Sequence, residues 1–434
     1  MPDATKSVRF EKLHSTARRV RQSARLLAFQ PSSAKNDALS KIATALRDQT
    51  EAILEANRQD LANGRAKGLD EAFLDRLELT PARIDKMASD VEEIIALGDP
   101  VGRVESTWVR PNGLRVGRRR IPLGVIGIIY ESRPNVTSDA AALCIKSGNG
   151  VLLKGGSDAF ASNRAVYKAI LAGLEASALP EGARHAVGFV DTTDRGAVQE
   201  MLRLSDDIDV IIPRGGKGLI RFVTEHSRIP VIKHDEGVCH VVIDGSARRE
   251  VVDPIVLNAK TQRPGVCNAM ETLLVLDNAV KTHLGRALDR LADAGVKLHL
   301  CERAFEVAEQ SGLDANTYDH ATAEHYRTEF LSLELAVRVV EDLSEAIGHI
   351  NEYGSHHTES LLTEDYSQSE RFQREVDSSV VMINASTRFS DGNQLGLGAE
   401  IGISTTKMHA YGPMGIDELT TTKFVVLGDG QIRQ

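Results

Sequence analysis

Residues 121–156 read IPLGVIGIIYESRPNVTSDAAALCIKSGNGVLLKGG. Two runs rich in β-branched and aliphatic residues, Ile121–Tyr130 and Val151–Gly155, flank a stretch at 136–148 whose alanines, leucine and isoleucine recur at helical spacing. Strand, helix and strand in a span this short make a βαβ unit, because parallel strands need a crossover that is usually a helix. The alternation continues with HAVGFV and DVIIP as strands and with helical stretches at 158–177, 193–204 and 216–226. It predicts an α/β fold with helices on both faces of a parallel sheet, whose ligand edge is the carboxyl ends of its strands.

The texture differs on either side. The first hundred residues, typified by SAKNDALSKIATALRDQTEAILEANRQDLANGRAKG, carry apolar residues at helical spacing and stop at glycine. After Pro230 a second α/β series begins: CHVVID, ETLLVL, VKLHL, LAVRVV and SSVVMINA, separated by helical segments such as REVVDPIVLNAKTQ. Two segments fit neither series. ESTWVRPNGLRVGRRR, at 105–120, and TTTKFVVLGDGQI, at 420–432, read as exposed β-ribbon, and unpaired edges of this kind often pair between subunits, which points to a homo-oligomer.

Composition bounds the function. A 434-residue chain with 42% apolar and 26% charged residues supports two or three ordinary globular domains. A net charge of -9 argues against nucleic acid as a partner and favours a small molecule. No run approaches the ~18 apolar residues of a membrane span, and the N-terminus lacks a signal peptide's apolar segment. Residues 1–30 hold seven Lys/Arg against Asp3 and Glu11, which reads as a solvated helix face, with an organelle-directing helix as the alternative. Four scattered cysteines without a CxxC pair exclude a disulfide framework and suggest a reducing cytoplasm.

Three stretches can carry chemistry. YESRPNVTSD ends an apolar strand at the ligand edge, making Glu131, Ser132, Arg133 and Asn135 site candidates; a capped helix start explains it otherwise. The glycine-rich turns at Lys154-Gly155-Gly156-Ser157 and Arg214-Gly215-Gly216-Lys217 each follow a strand and lack the side chains that would keep a phosphate from main-chain N–H groups, yet match neither a P-loop nor a GxGxxG pattern. In KTQRPGVCNAMET, Cys267 stands among polar neighbours after a Pro-Gly turn. On the residues alone it is either buried filler or a nucleophile. Cys144, Cys239 and Cys301 fit the filler reading. His234, His240, His356 and His357 match no zinc spacing, so no metal is expected.

These pieces, in this order, resemble the aldehyde dehydrogenase superfamily, and within it the branch that reduces L-glutamyl 5-phosphate to glutamate 5-semialdehyde in proline biosynthesis. The motifs that carry the resemblance span residues 120–365 and beyond: PLGVIGIIYESRPNVTSDAAALCIKSGNGVLLKGGSDA, DVIIPRGGKGLI, VIKHDEGVCHVVID, KTQRPGVCNAMETLLV and AIGHINEYGSHHTESLLT. The resemblance implies a Rossmann-like NADPH-binding domain (1–104 and 121–235), an α/β catalytic domain (236–405) and an oligomerisation β-ribbon (105–120 and 418–432). It places the family's nucleophile on Cys267, and cofactor contacts on Lys154, Gly155, Gly156, Ser157, Arg214, Gly215, Gly216 and Glu329. Ser132 and Asn135 are its candidates for the oxyanion side chain; Glu131, Arg133 and Arg388 are its candidates for holding substrate. His234 stands where hydrolytic relatives carry a water-activating glutamate, and Lys154-Gly155-Gly156-Ser157 lacks the acid that follows the lysine in NAD-preferring relatives. NADPH is therefore expected over NADH, and a separate glutamate 5-kinase must supply the acyl phosphate. The rival reading is another aldehyde dehydrogenase or an acyl-CoA reductase of the superfamily.

Overall fold

The computed structural model describes residues 10–433, which form two compact units. One comprises the chain up to Lys233 with Leu397–Gly402 and the chain from Met414 onward; the other comprises His234–Gly396 with Ile403–Pro413. The basic N-terminal residues 1–9 lie outside the described region, and from Glu11 to Leu27 the chain is a helix that buries Leu13, Ala17, Val20, Ala24 and Leu27. The helical stripe expected there does face inward. Four more helices follow, at Ser32–Asp48, Thr50–Ala66, Glu71–Leu77 and Pro81–Ala96.

The long apolar run that begins at Ile121 is divided. Its first residues finish an antiparallel ribbon, in which β1 (Val104–Val109) and the C-terminal strand Thr420–Leu427 flank β2 (Arg115–Pro122). The remainder is β3 (Val125–Tyr130), fully buried in a parallel sheet with β4 (Gly150–Gly155), β5 (Val187–Phe189) and β6 (Val210–Arg214). Gly124 makes the division possible: its φ is +128°, and a Cβ there would collide with the Asp209 carboxylate. That carboxylate accepts the Val125 N–H at 2.7 Å and pairs with Arg21, so the corner is held by charge as well as by backbone shape.

The second unit is one seven-stranded parallel sheet. Its strands are β7 (Cys239–Ile243), β8 (Met270–Leu276), β9 (Lys297–Leu300), β10 (Tyr318–His320), β11 (Glu334–Val340), β12 (Thr358–Leu362) and β13 (Val380–Ile383), in spatial order β10-β9-β11-β8-β7-β12-β13. Alternate side chains feed two cores: Val241, Ile243, Leu273 and Val275 pack on one face, Val242, Leu274 and Leu276 on the other. Strands buried on both faces read as continuous apolar runs, which is why most were visible in the sequence. β12 was not. It lies between β7 and β13, yet its first residues are Thr358, Glu359 and Ser360, all fully buried. Their polar atoms are satisfied within the unit: Glu359 accepts from the His240 main chain at 2.8 Å, and Ser360 donates to the Ala385 carbonyl at 2.6 Å.

Candidate active site

In the first unit the expected ligand edge gathers around Glu131. Its N–H donates to the Arg214 carbonyl at 3.0 Å, joining the tips of β3 and β6, and its carboxylate accepts the Gly216 N–H at 3.0 Å. A Cβ on Gly215 would strike that carboxylate, and one on Gly156 would lie 3.5 Å from the Glu131 Cα. The structure thus brings Glu131, Gly156, Arg214, Gly215 and Gly216 together. Ser132 takes a left-handed backbone, φ +44°, uncommon for a residue other than glycine and often found where chain shape serves a site. Arg133 and Asn135 are exposed. The Asn135 amide donates to Asp139 at 2.9 Å, and burial, followed by the charge of Asp90, pushes the Asp139 carboxyl up to about 7. Asp139, at the end of the same stretch, was not among the residues the sequence singled out.

Lys154 is nearly buried at the end of β4, where its ammonium donates to the Gly155 carbonyl at 2.8 Å and burial lowers its pKa. Ser157 opens a short 3-10 turn, and the acid beside it, Asp158, is held by Lys67 at 2.6 Å.

In the second unit Cys267 lies between the helix Arg249–Thr261 and β8 and is partly accessible, whereas Cys144 and Cys239 are buried. Cys301, expected to be filler, is also partly accessible; its sulfur accepts the Val339 N–H at 3.2 Å. Glu329 accepts the Gly237 N–H at 2.9 Å. Arg388 donates to Gln262 at 2.9 Å, and its pKa is lowered by burial and then by the neighbouring Arg263, while the Cys267 charge acts the other way. The Arg388 guanidinium therefore belongs to the electrostatic surroundings of Cys267, and a cation there favours a thiolate.

The loop that carries Cys267 is bracketed by a buried pair the sequence did not reveal. Lys260 closes the preceding helix, Glu271 lies in β8, and their charged ends meet with both side chains fully inaccessible. The histidines pair with protein groups: His240 with Glu359 at 2.8 Å and His356 with the Asp377 carbonyl at 2.5 Å, while His357 is wholly buried. A different group, His299, Asp319 and His325, places ligand atoms within 4.8 Å of one another. These atoms engage protein partners: His299 Nδ1 meets Asp319 at 2.6 Å, Lys297 approaches Asp319 at 3.4 Å, and His325 Nδ1 accepts the Thr322 N–H at 3.2 Å. An acceptor role at Nδ1 leaves the proton on Nε2, which does not suit a metal ligand. No helix among the described residues is long and apolar enough to cross a membrane.

No protein-family model matches the chain. Among solved structures, an acetylating aldehyde dehydrogenase from Geobacillus thermoglucosidasius is 17% identical, with TM-score 0.70 and complete coverage of both chains. An engineered glycolyl-CoA reductase with bound NADP+ reaches TM-score 0.64 at 15% identity, covering 96% of each chain. Two parallel α/β units, a β-ribbon and a partly accessible loop cysteine on this frame define a protein of the aldehyde dehydrogenase fold. Relatives nearer in sequence narrow the class. The chain is 53% identical over 424 residues to the gamma-glutamyl phosphate reductase of Geobacter metallireducens, covering 98% of this chain and 99% of that one. It is 51% identical over 419 residues to the Colwellia psychrerythraea enzyme of the same name, covering 96% and 98%. The crystal structure of gamma-glutamyl phosphate reductase from Thermotoga maritima has TM-score 0.93 at 45% identity, covering 97% of this chain and all of that one. The chain belongs to the gamma-glutamyl phosphate reductase family and is an oxidoreductase.

Proposed function

We propose that this protein reduces L-glutamyl 5-phosphate to L-glutamate 5-semialdehyde with release of phosphate, the second step of proline biosynthesis from glutamate. The observation that carries the reading is near-full-length identity of about one half to gamma-glutamyl phosphate reductases, with Cys267 partly accessible in its loop. The Cys267 thiolate attacks the acyl carbon and phosphate leaves, forming a thioester; hydride then reduces it, and the thiohemiacetal collapses to aldehyde and thiolate. The Cys267 main-chain N–H, with Ser132 or Asn135, would hold the developing oxyanion. Arg133, Arg388 and Glu131 would hold substrate, the guanidinium groups pairing with its phosphate or carboxylate.

NADPH, when bound, supplies the hydride. The region up to Lys233 would bind it through Lys154–Ser157 and Arg214–Gly216, the second unit would contribute Glu329 and the nucleophile, and the ribbon would join subunits. What supports NADPH over NADH is the local donor set: a lysine, two positions without a Cβ, and a hydroxyl where an acid would repel a 2′-phosphate, with the adjacent Asp158 already paired to Lys67. Glutamate 5-kinase would be the functional partner, because the reaction consumes the acyl phosphate that such a kinase forms.

The deciding experiment is the reverse reaction, oxidation of glutamate 5-semialdehyde, supplied in turn with phosphate, CoA or neither, and with NADP or NAD. Phosphate-dependent reduction of NADP is expected. Turnover that requires CoA, or that proceeds with water alone, would reassign the protein to another branch of the superfamily.

A further inference from the structure

The carbonyl of Cys267 accepts a hydrogen bond from the Cys239 thiol at 3.2 Å, and the same sulfur lies 3.6 Å from His357 Nδ1. His357 Nδ1 meets the Thr358 hydroxyl at 2.8 Å, and that hydroxyl donates to the Ser390 hydroxyl at 2.8 Å. The carbonyl of Ser390 in turn accepts the side-chain amide of Asn268, the residue after the cysteine, at 2.8 Å. Cys239, His357, Thr358 and Ser390 are fully buried and Asn268 is 5% exposed, so water does not compete for these bonds. The chain of contacts leaves the Cys267 carbonyl, passes through the starts of β7 and β12 and the loop at Ser390, and returns to Asn268.

The proton positions follow from valence. Thr358 has one hydroxyl proton and gives it to Ser390, so it accepts from His357, whose ring proton is therefore on Nδ1. Burial drives the His357 pKa down to about 3 and holds the Cys239 thiol well above its ordinary range. Both groups are neutral at physiological pH. Cys239 is then an S–H donor rather than a second thiolate competing for substrate.

We propose that Cys239 is a positioning residue for the nucleophile: its thiol, oriented through the His357–Thr358–Ser390–Asn268 circuit, fixes the Cys267–Asn268 peptide and so aims the Cys267 side chain. Rotating that peptide would break the bond at Cys239, while the Asn268 side chain, bonded to the Ser390 carbonyl, anchors the Cα at its far end. This rests on the assignment of Cys267 as nucleophile made above. The sequence offered Cys239 only as a small apolar filler at the start of a strand, and filler that merely occupies volume is the alternative the test must separate.

The test compares Cys239→Ala, Cys239→Ser and Thr358→Val in the full chain. Each is assayed for kcat and KM in phosphate-dependent reduction of NADP by glutamate 5-semialdehyde, and for the rate at which iodoacetamide alkylates Cys267, read by peptide mass spectrometry. Losing one hydrogen bond should lower kcat about tenfold in Cys239→Ala with KM changed less than about twofold, and slow Cys267 alkylation in parallel. Serine keeps a donor and should return kcat to within about threefold of wild type. Thr358→Val, which breaks the circuit away from both cysteines, should move kcat the same way and decides the matter if Cys239→Ala does not fold. Wild-type kcat in Cys239→Ala or Thr358→Val, or a serine variant as slow as the alanine one, overturns the proposal. A wild-type protein without phosphate-dependent turnover, or a Cys267→Ala variant that retains it, instead overturns the nucleophile assignment, and this proposal falls with it.

Discussion

The Cα of Gly237 faces the main-chain carbonyl of Cys267 so closely that a Cβ at 237 would fall on the carbonyl oxygen and crowd its carbon. The obstacle is backbone on both sides, which cannot swing aside as a side chain can. Gly237→Ala should therefore cost about 1–3 kcal/mol of stability, the usual range for overpacking a tight contact. It should lower kcat by roughly 10²-fold through displacement of the Cys267 peptide. Urea denaturation and steady-state kinetics check the two numbers, and a variant with unchanged midpoint and kcat would show that the peptide tolerates the shift.

The thioester predicts a burst. With His234 where hydrolytic relatives carry glutamate, semialdehyde and NADP without phosphate should yield about one equivalent of NADPH per chain and then almost nothing, because the acyl group stays on Cys267. Added phosphate should restore steady turnover. Stopped-flow absorbance measures the burst, and mass spectrometry should find the added acyl mass on the peptide containing Cys267. Continued linear turnover without phosphate would mean that water reaches the thioester, and Cys267→Ala should show neither burst nor turnover while retaining cofactor binding.

How much of this was legible depended on which signals are local. Val125–Tyr130 is apolar on both faces, and so is β8 from Leu273 to Leu276, so their residue types name them. Thr358–Leu362 is as central but opens with threonine, glutamate and serine, whose partners, among them His240 and Ser390, come from distant parts of the chain. The same reason hid the Cys239 circuit and the Lys260–Glu271 pair: a buried polar residue can be read only once its partner is known. The glycines at 156, 215 and 216 were legible because a missing side chain shows in one residue. That Gly216 gives its N–H to Glu131, 85 positions away, was not.

The Lys260–Glu271 pair holds both ends of the cysteine loop. Burial, with a smaller push from the charge of Glu329, raises the Glu271 carboxyl to about 8 against the pull of Lys260, and burial pushes the Lys260 amine down, so each charge depends on the other. Lys260→Met should leave a buried acid without its cation and cost about 3–5 kcal/mol in chemical denaturation. Lys260→Met combined with Glu271→Leu should recover most of that loss. A single variant as stable as wild type would show that the pair contributes no net coupling.

The ribbon carries an apolar face. Trp108, Phe424 and Val426 share one side of the ribbon and are 38%, 64% and 53% exposed, and Trp108 meets Phe424 edge to face with ring centroids 6.3 Å apart. If this face joins subunits, Phe424→Glu with Val426→Glu should lower the mass measured by light scattering and leave the circular dichroism spectrum of the chain unchanged. Identical mass in variant and wild type would move the interface elsewhere.

Asp139 gives the pH prediction. Burial first, and Asp90 second, raise its carboxyl pKa to about 7, while hydrogen bonds from Asn135 and Ser138 and the charge of Arg214 oppose the rise. The folded protein therefore keeps this proton at pH values where the unfolded chain, with an ordinary carboxyl pKa near ~3.9, has released it. Where the native state binds more protons, stability falls as pH rises. The contribution is fully present below about pH 4 and is lost progressively as pH rises toward 7. Asp139→Asn keeps the hydrogen-bonding shape and removes the titration, so unfolding free energies of wild type and variant should diverge with increasing pH across that window, the variant gaining. Urea denaturation at intervals of pH measures the difference, and a difference that stays constant across the window would place the Asp139 carboxyl in its ordinary range.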